Sequence, residues 1–142
     1  MSTTYNADYF NQFGVNHLPG HLGIVITDVS GKQAVAEMPV KPQLMAPNGF
    51  LHAGSIVTLA DTCAGYGCVA NLPAGAKGFT TIELKSNHLG TLREGTVSCT
   101  ATAIHLGRNT HVWDAVVTDK TTGKTLALFR CTQMILYPQA SA

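Results

Sequence analysis

The sequence predicts an α+β fold in which an antiparallel β-sheet wraps around one long central helix. Three observations predict it: residues 54–71 carry the apolar spacing of a helix, a two-stranded hairpin precedes them, and strand-like segments fill the chain after residue 78. Because one helix covers only one face of such a sheet, we expect the other face to be solvated or covered by a second copy of the chain.

Four shorter segments precede the long helix. They are a short amphipathic N-terminal helix, a Pro/Gly-rich connection and the two strands of a β-hairpin, at residues 4–13, 17–23, 24–29 and 33–38. Gly14 ends the short helix, and Ser30-Gly31-Lys32 forms the hairpin turn. Three prolines keep the chain after the hairpin extended and non-helical, at Pro39, Pro42 and Pro47.

The long helix has an apolar stripe beside a stripe of small and polar residues. The apolar stripe is Ile56, Leu59, Ala60, Cys63 and Gly67, and its neighbour is Thr58, Asp61, Thr62 and Gly65. Each glycine in a helix interior costs about 1 kcal/mol relative to alanine. We therefore expect tight packing of other backbones against this helix to compensate.

The chain after the long helix predicts four consecutive strands, at residues 79–87, 96–106, 110–118 and 125–137. The second of them alternates threonine and serine with apolar residues, which is the period of a strand with one buried face. No internal repeat, linker or low-complexity tract divides the sequence. Residues 1–142 are therefore expected to form a single domain.

Composition narrows the class of protein. Charged residues make up 12% of the 142 residues, about half the usual share of roughly 25%, which favours a second copy covering part of the surface. The net charge of +1 argues against nucleic-acid or membrane-surface binding. The sequence contains neither a secretory signal nor a membrane-spanning run, so we expect a cytoplasmic protein.

The cysteines and histidines predict neither disulfides nor a metal site. Four cysteines without C-x-x-C spacing lie in apolar or strand-like segments, where buried, reduced thiols are expected. His17 and His21 are four residues apart, but Pro19 and Gly20 separate them, so they do not share a helix face.

Asp61 is the residue of greatest interest. It lies two turns inside an otherwise apolar helix, and its nearest acidic neighbours in sequence are Glu37 and Glu83. Removing an ionised carboxylate from water costs several kcal/mol unless it is paired or hydrogen-bonded. Asp61 therefore either lies on a solvent-exposed stripe of the helix or has a catalytic role.

Several short motifs accompany Asp61 in a characteristic order: Gly49-Phe-Leu-His52-Ala-Gly54, Leu59-Ala60-Asp61, Thr81-Ile-Glu-Leu84 with Asn87, and His105-Leu-Gly-Arg108. Together they resemble the hotdog-fold acyl-CoA thioesterases of the phenylacetic-acid-degradation (PaaI) and 4-hydroxybenzoyl-CoA thioesterase type. The resemblance runs from about His21 to Tyr137, nearly the whole chain.

The resemblance implies an acyl-CoA hydrolase that uses no metal or redox cofactor, with coenzyme A entering only as part of the substrate. It implies a homodimer, or a dimer of dimers, whose active sites lie between subunits. By position, Asp61 resembles the catalytic carboxylate, the Ala53 backbone N–H the oxyanion donor, and His52 the histidine that positions the thioester.

Elementary chemistry agrees with these roles. A helix N-terminus offers unbonded N–H groups and a partial positive charge, and Ala53 and Gly54 bring almost no side chain to obstruct a carbonyl oxygen. Asp61 is too far along the helix to serve the same turn, so it is expected to act on a site formed with other elements. It could activate water as a general base or attack the carbonyl directly.

The chain departs from the family pattern at several positions. Ala53 stands where a glycine is common, and Ala46 where an orienting Asn or Gln is common, with Asn48 the nearest substitute. Gly65 occupies the position of a water-positioning Ser or Thr. His88 follows Asn87 where an aromatic residue is frequent, although one enterobactin-related branch has a catalytic histidine there.

Other interpretations stay open. His88 could be an ordinary strand histidine, and Arg108-Asn109-Thr110 either a polar hairpin connection or a contact for the phosphates of coenzyme A. Two other functions compete with thioester hydrolysis: an enoyl or 3-hydroxyacyl thioester hydratase, and a non-catalytic acyl-CoA-binding dimer. The alanine at position 46 and the glycine at position 65 are the features that favour the last.

Overall fold

The structure, a computed structural model, describes residues 3–139. Three α-helices and one 3₁₀ turn occur among them: α1 (Ala7–Phe13), α2 (Leu18–His21), the 3₁₀ turn (Pro42–Leu44) and α3 (Ala53–Ala70). The strands are β1 (Val25–Ser30), β2 (Gln33–Pro39), β3 (Gly78–His88), β4 (Thr96–Leu106), β5 (Thr110–Asp119) and β6 (Thr125–Leu136).

The six strands form one sheet in the order β1-β2-β4-β5-β6-β3, and every neighbouring pair is antiparallel. The chain leaves β2, passes through α3, lays down β3 at the far edge, and returns to pair β4 with β2. The predicted α+β class, with a sheet curved around one long helix, is confirmed.

Helix α3 packs on the inner face of the sheet along its predicted apolar stripe. Every residue of that stripe is buried, as are the inward-facing residues of the central strands, Ala34, Ala36, Cys99, Ala101, Trp113 and Ala115. A side chain at Gly67 would lie 2.6 Å from the Trp113 ring, and one at Gly65 would lie 3.0 Å from the Phe79 ring. The expected close approach to the glycines of α3 is therefore present.

The helices near the N-terminus differ in detail from the sequence prediction. Helix α1 begins at Ala7 because the Asn6 side chain caps it, accepting a 2.9 Å hydrogen bond from the Tyr9 N–H. The predicted connection at residues 17–23 contains the single-turn helix α2. Pro19 lies in its first turn, where a missing N–H costs no hydrogen bond.

The outer face of the sheet carries exposed apolar side chains. Val116 on β5 and Leu128 and Met134 on β6 alternate with buried residues and therefore point away from α3. Polar residues lie between them, including the ion pair of Arg130 with Asp114. Such a surface is more apolar than a fully solvated sheet face usually is.

All four cysteines are buried and unpaired, which confirms the expectation of free thiols. The Cys63 thiol donates a 3.2 Å hydrogen bond to the Ala34 carbonyl on β2. Burial raises the pKa of Cys68 and of Cys131 to about 12, so both remain protonated at neutral pH. Within residues 3–139, no helix is long and apolar enough to cross a membrane.

Replacing Gly67 with alanine tests the packing of α3 on the sheet. The added methyl group would collide with the buried Trp113 ring. Overpacking of this kind costs about 1–3 kcal/mol, which outweighs the roughly 1 kcal/mol that alanine gains over glycine in a helix. Chemical denaturation should therefore show a lower free energy of unfolding.

Gly78→Ala provides the matched control, because a side chain at Gly78 meets no atom within 4 Å and Gly78 has no positive φ. We expect a change within about 0.5 kcal/mol for this variant. Equal stability of the Gly67→Ala and Gly78→Ala proteins would contradict tight helix–sheet packing.

Candidate active site

The loop before α3 is held on both sides by backbone hydrogen bonds. The Ala46 N–H donates to the Phe50 carbonyl at 2.7 Å and the His52 N–H donates to the Leu44 carbonyl at 3.1 Å. Gly49 takes a φ of +86°, which a glycine adopts without strain. These bonds fix the direction in which α3 begins.

Asn48 lies at the tip of this loop and stabilises it. Its side-chain oxygen accepts a 3.2 Å hydrogen bond from the Phe50 N–H, which closes a turn within the loop. The Asn48 side chain is exposed, and no hydrogen bond to its amide nitrogen occurs among the described residues, so this donor is available to another molecule.

His52 caps α3. Its Nδ1 accepts a 2.7 Å hydrogen bond from the Gly54 N–H, and its backbone is extended (φ −67°, ψ 136°). A neutral ring that accepts at Nδ1 carries its proton on Nε2, an assignment that follows from the hydrogen bond. The exposed His52 ring therefore presents an N–H donor to its surroundings.

The cap changes one expectation about the helix start. We expected both Ala53 and Gly54 to offer an open N–H, but the Gly54 N–H is occupied by His52. The Ala53 N–H has no acceptor among residues 3–139. One oxyanion donor, rather than two, is thus open at the tip of α3.

A groove of about 280 Å³ lies at this tip, and we call it the helix-start groove. It is lined by Ala46, Asn48, Phe50, Ala53, His88 and Thr91, among others. The structure thus brings together four positions that the sequence singled out, from the loop, the helix and the end of β3. At the edge of the groove, the Arg93 guanidinium lies 4.3 Å from the centre of the Phe50 ring.

Asp61 lies in a second cavity, of about 470 Å³, between α1, α3 and the start of β3. We call it the α1–α3 chamber. Five aromatic residues, Tyr5, Tyr9, Phe13, Tyr66 and Phe79, line it together with Asp61, Gly65 and others. Stacking of Phe10 on Tyr66, with ring centres 4.5 Å apart, holds α1 against α3.

The Asp61 carboxyl group is half-buried, and its environment disfavours its charge. Burial raises its pKa above the ordinary aspartate value, and hydrogen bonding by the Thr81 side chain opposes this in part. Its Oδ1 is fully buried and has no hydrogen-bond partner among the described residues. One oxygen of the Asp61 carboxyl group is thus withdrawn from solvent, and the catalytic role of this residue stays a prediction.

The helix-start groove and the α1–α3 chamber are separate within one protomer. The eight residue steps of helix from Ala53 to Asp61 correspond to a rise of about 12 Å. A reacting carbonyl carbon must lie about 3 Å from its attacking group while its oxygen meets the oxyanion donor. Ala53 and Asp61 of one protomer are too far apart to flank one carbonyl.

Asn87 and His88 lie on opposite faces of the sheet. His88 pairs with Ala127, which is buried, and it borders the helix-start groove. Asn87 pairs with the exposed Leu128 and belongs to a shallow recess on the outer face, beside Lys85. The predicted substrate contact at Asn87 is thus separated by the sheet from the predicted catalytic residues.

The predicted phosphate contacts lie in the β4–β5 hairpin, outside both cavities. The Asn109 carbonyl accepts a 2.9 Å hydrogen bond from the Ile135 N–H, and the Tyr137 hydroxyl donates to the Arg108 carbonyl. The Arg108 guanidinium is exposed and lies 5.9 Å from the centre of the Tyr137 ring. Thr110 begins β5, where its carbonyl accepts from the Gly107 N–H at 2.9 Å.

Sequence reasoning missed two contributions to the site. Tyr9 and Phe13 of α1, with Tyr5 just before it, form a wall of the α1–α3 chamber. The sequence predicted only an amphipathic helix in this segment. Arg93 lies beside the helix-start groove, in a loop where no motif drew attention to it. The aromatic spacing in α1 was a usable signal for the first, and the second had none.

An antiparallel sheet wrapped around one long central helix is the architecture of the hotdog-fold thioesterases. The chain belongs to the thioesterase superfamily, which matches residues 48–126. It is accordingly a thioester hydrolase, as the sequence predicted. The predicted resemblance to PaaI-type proteins is confirmed by the relatives and structures below.

Among characterised relatives, a 1,4-dihydroxy-2-naphthoyl-CoA hydrolase of Listeria monocytogenes is 37% identical over 78% of this chain and 89% of its own length. A crystal structure of a variant thioesterase from Pseudomonas aeruginosa is 32% identical with a TM-score of 0.88, covering 94% of this chain and 96% of that one. The PaaI protein of the Escherichia coli phenylacetic acid degradation operon is 25% identical with a TM-score of 0.80, covering 95% and 96% respectively.

Replacing Asp61 with asparagine tests the cost of burying its charge. Above the raised pKa, the ionised carboxylate carries the full desolvation cost in the folded state only, so Asp61→Asn should raise Tm by a few degrees at neutral pH. The advantage should shrink as pH falls through the folded-state pKa, and vanish below about pH 4, where the unfolded chain is protonated as well.

Thermal unfolding of both proteins between pH 4 and pH 8 provides the measurement. Asp28→Asn, at an exposed position on β1, serves as the control and should show no such pH-dependent gain. A lower Tm for Asp61→Asn at neutral pH would contradict the assignment of an unfavourable buried charge.

Proposed function

We propose that this protein hydrolyses an aryl- or fatty-acyl-CoA thioester to the free acid and coenzyme A. One observation carries the proposal: α3 presents an open N–H at Ala53 and, two turns later, a half-buried carboxylate at Asp61 with a buried, unpartnered oxygen. An oxyanion donor and a base or nucleophile are the two groups that thioester hydrolysis requires. The proposal includes no metal or redox cofactor.

The proposed active site combines two copies of the chain. Ala53 and Asp61 are too far apart in one protomer, so the helix-start groove of one copy would meet the α1–α3 chamber of another. The low charge of the chain and the exposed apolar side chains on the sheet support a homodimer or a dimer of dimers.

In this site, the thioester oxygen accepts a hydrogen bond from the Ala53 N–H as negative charge develops on it. Asp61 either removes a proton from the attacking water or attacks the carbonyl carbon itself, giving an anhydride that water then hydrolyses. A C–O bond forms, the C–S bond breaks, and the coenzyme A thiolate leaves and takes up a proton. Both routes end in the same products.

The residues around the helix start position the thioester in this proposal. Asn48 and His88 line the groove, and their side chains would supply polar contacts near the carbonyl. His52 is outside the lining of the groove, and it would act by capping the helix start. Gly54 and Gly65 would contribute indirectly: the missing side chain at Gly54 leaves room for the capping His52 ring, and that at Gly65 leaves room for the Phe79 ring in the chamber wall. Asn48 thereby takes the place of the polar side chain that Ala46 lacks.

The α1–α3 chamber would hold the acyl group. It adjoins Asp61, and its aromatic walls suit an aryl or fatty-acyl group. The Listeria relative is named for an aromatic acyl-CoA, which supports an aryl substrate. Outside the chamber, Arg108, with Asn109 and Thr110, would contact the phosphates of coenzyme A through its exposed guanidinium. The proposed site does not include Asn87.

Thiol release from a panel of aryl-, fatty- and short-chain acyl-CoA esters tests the proposed function directly. We expect turnover by the wild-type protein and a loss of about 100- to 10,000-fold in kcat for Asp61→Asn, because the base or nucleophile is removed. Asp28→Asn should retain full activity. Undiminished turnover by Asp61→Asn would overturn the mechanism.

The same panel separates the two competing functions. Consumption of an enoyl or 3-hydroxyacyl thioester without thiol release would indicate a hydratase. Tight binding of acyl-CoA without turnover would indicate a non-catalytic binding protein. Either result would contradict the proposed hydrolysis.

Ala53→Pro removes the proposed oxyanion donor while leaving the helix intact. Ala53 is the first residue of α3, where proline is favoured, and His52 already has the extended backbone that a residue before proline requires. We expect kcat to fall about 100- to 1000-fold with Tm unchanged, whereas Ala53→Gly should remain active. A fully active Ala53→Pro protein would exclude the donor role.

Co-expression of Ala53→Pro with Asp61→Asn tests the site between copies. Each mixed dimer would contain one site with both defects and one with neither, so about a quarter of wild-type activity should return if the copies mix at random. No recovery from verified mixed dimers would place both groups in the same protomer.

A further inference from the structure

A polar row crosses the inner face of the sheet next to Asp61. Thr81 on β3, Gln133 on β6 and His111 on β5 are direct cross-strand partners, so their side chains share one face. Gln133 and His111 are both 0% exposed, and they alternate with outward residues in the same way as the buried Cys131 and Trp113. The row therefore faces α3.

This row contains most of the unpartnered buried polar atoms that the structure describes. They are His111 Nε2, Gln133 Oε1, Gln133 Nε2 and Asp61 Oδ1, with Ser86 Oγ as the remaining one. Buried polar atoms in folded proteins are almost always hydrogen-bonded, so each exception calls for an explanation. The proposed hydrolysis uses Asp61 but assigns no role to Gln133 or His111.

Along the row, the unpartnered atoms alternate between hydrogen-bond donors and acceptors. Trp113 donates its indole N–H to His111 Nδ1 at 3.4 Å, so a neutral His111 carries its proton on Nε2. Burial lowers the pKa of His111, which keeps the ring neutral. His111 Nε2–H is then a donor, Gln133 Oε1 an acceptor, Gln133 Nε2 a donor and Asp61 Oδ1 an acceptor.

We propose that Gln133, beside His111 and Trp113, is a positioning residue whose amide N–H acts on Asp61 Oδ1 through one buried water. The proposal rests on the proposed function, because it assumes that the Asp61 carboxylate acts in its ionised form. Thr81, the cross-strand partner of Gln133, lies beside the same carboxyl group and shares this task.

The donor and acceptor roles along the row follow from its first member. The Trp113 indole can only donate, so His111 Nδ1 accepts and its Nε2–H is left to donate. In the proposed network, bridging water continues this order through the Gln133 amide and ends on the carboxylate as an acceptor. An ionised carboxylate satisfies this end, whereas a proton on Oδ1 would meet a second donor. The row therefore favours the charged, fixed carboxylate that a base or nucleophile needs.

Other titratable groups also face Asp61 and act on its charge. They are Tyr5 and Tyr9 at α1, Tyr66 on α3, Lys77 before β3, Cys131 on β6, and His111 on β5 by way of Gln133. None of these side chains is altered by a substitution at Gln133. A change in the pH profile of such a variant therefore reports the loss of the amide.

The experiment compares the pH dependence of kcat/KM for the wild-type protein and Gln133→Leu, which is similar in size but lacks the amide. Loss of a donor makes the ionised carboxylate less favourable, so the acid limb should move to higher pH by about one unit. At high pH the two proteins should have nearly equal kcat, and KM should change little. By linkage, the same loss makes the folded protein with ionised Asp61 less stable, so Tm should fall at neutral pH and this difference should shrink as pH falls through the Asp61 pKa.

Gln33→Leu is the matched control, because it makes the same change at an exposed position on β2, and it should leave the acid limb in place. Gln133→Met supplies a second, unbranched variant, for which we expect the same shift as for Gln133→Leu. A merely structural role predicts a lower Tm with an unshifted acid limb.

An unshifted acid limb in a folded Gln133→Leu or Gln133→Met protein would overturn the positioning role, as would the failure of both variants to fold. These outcomes differ from failure of the proposed function, in which the Asp61→Asn protein would keep its activity. If Asp61→Asn loses activity and the Gln133 variants do not shift, only the positioning role is wrong.

Discussion

Close packing of α3 on the inner face of the sheet is the constraint on which the rest of the structure depends. The Trp113 ring occupies the space that a side chain at Gly67 would need, and the Phe79 ring lies against Gly65. Interiors packed this tightly transmit the position of one group to its neighbours. The same contact that buries the apolar stripe therefore also withdraws Asp61 from water and brings it beside Thr81.

The position of Asp61 on α3 separates it from the helix start, so that the proposed site requires two copies of the chain. A helix is a rigid spacer, so the rise of about 12 Å between Ala53 and Asp61 cannot be closed within one protomer. Two copies that meet along their helices would remove the separation without any conformational change. The cap formed by His52 has a second consequence: it occupies the Gly54 N–H and leaves the Ala53 backbone N–H without an acceptor among residues 3–139.

This arrangement buries polar groups, which lowers the stability of the fold. The structure withdraws Asp61, Gln133 and His111 from solvent on the same side of the sheet. Unpartnered polar atoms in a core reduce stability, and proteins tolerate them mainly where function needs them. The apolar residues around them, including Cys131 and Trp113, supply the packing that offsets this cost.

The sequence by itself determined the α+β class, the stripe by which α3 packs, and the prominence of Asp61 and His52, because these depend on local spacing along one element. It did not determine the strand order, which places β3 beside β6. Nor did it reveal that Asn87 and His88 face opposite sides of the sheet, or that the His52 ring accepts the Gly54 N–H. The alignment of Gln133 and His111 with Thr81 across three strands was also not predicted. Only the tertiary structure decided these, because side chains far apart in sequence meet through strand pairing and register, and local spacing does not specify the partner strand.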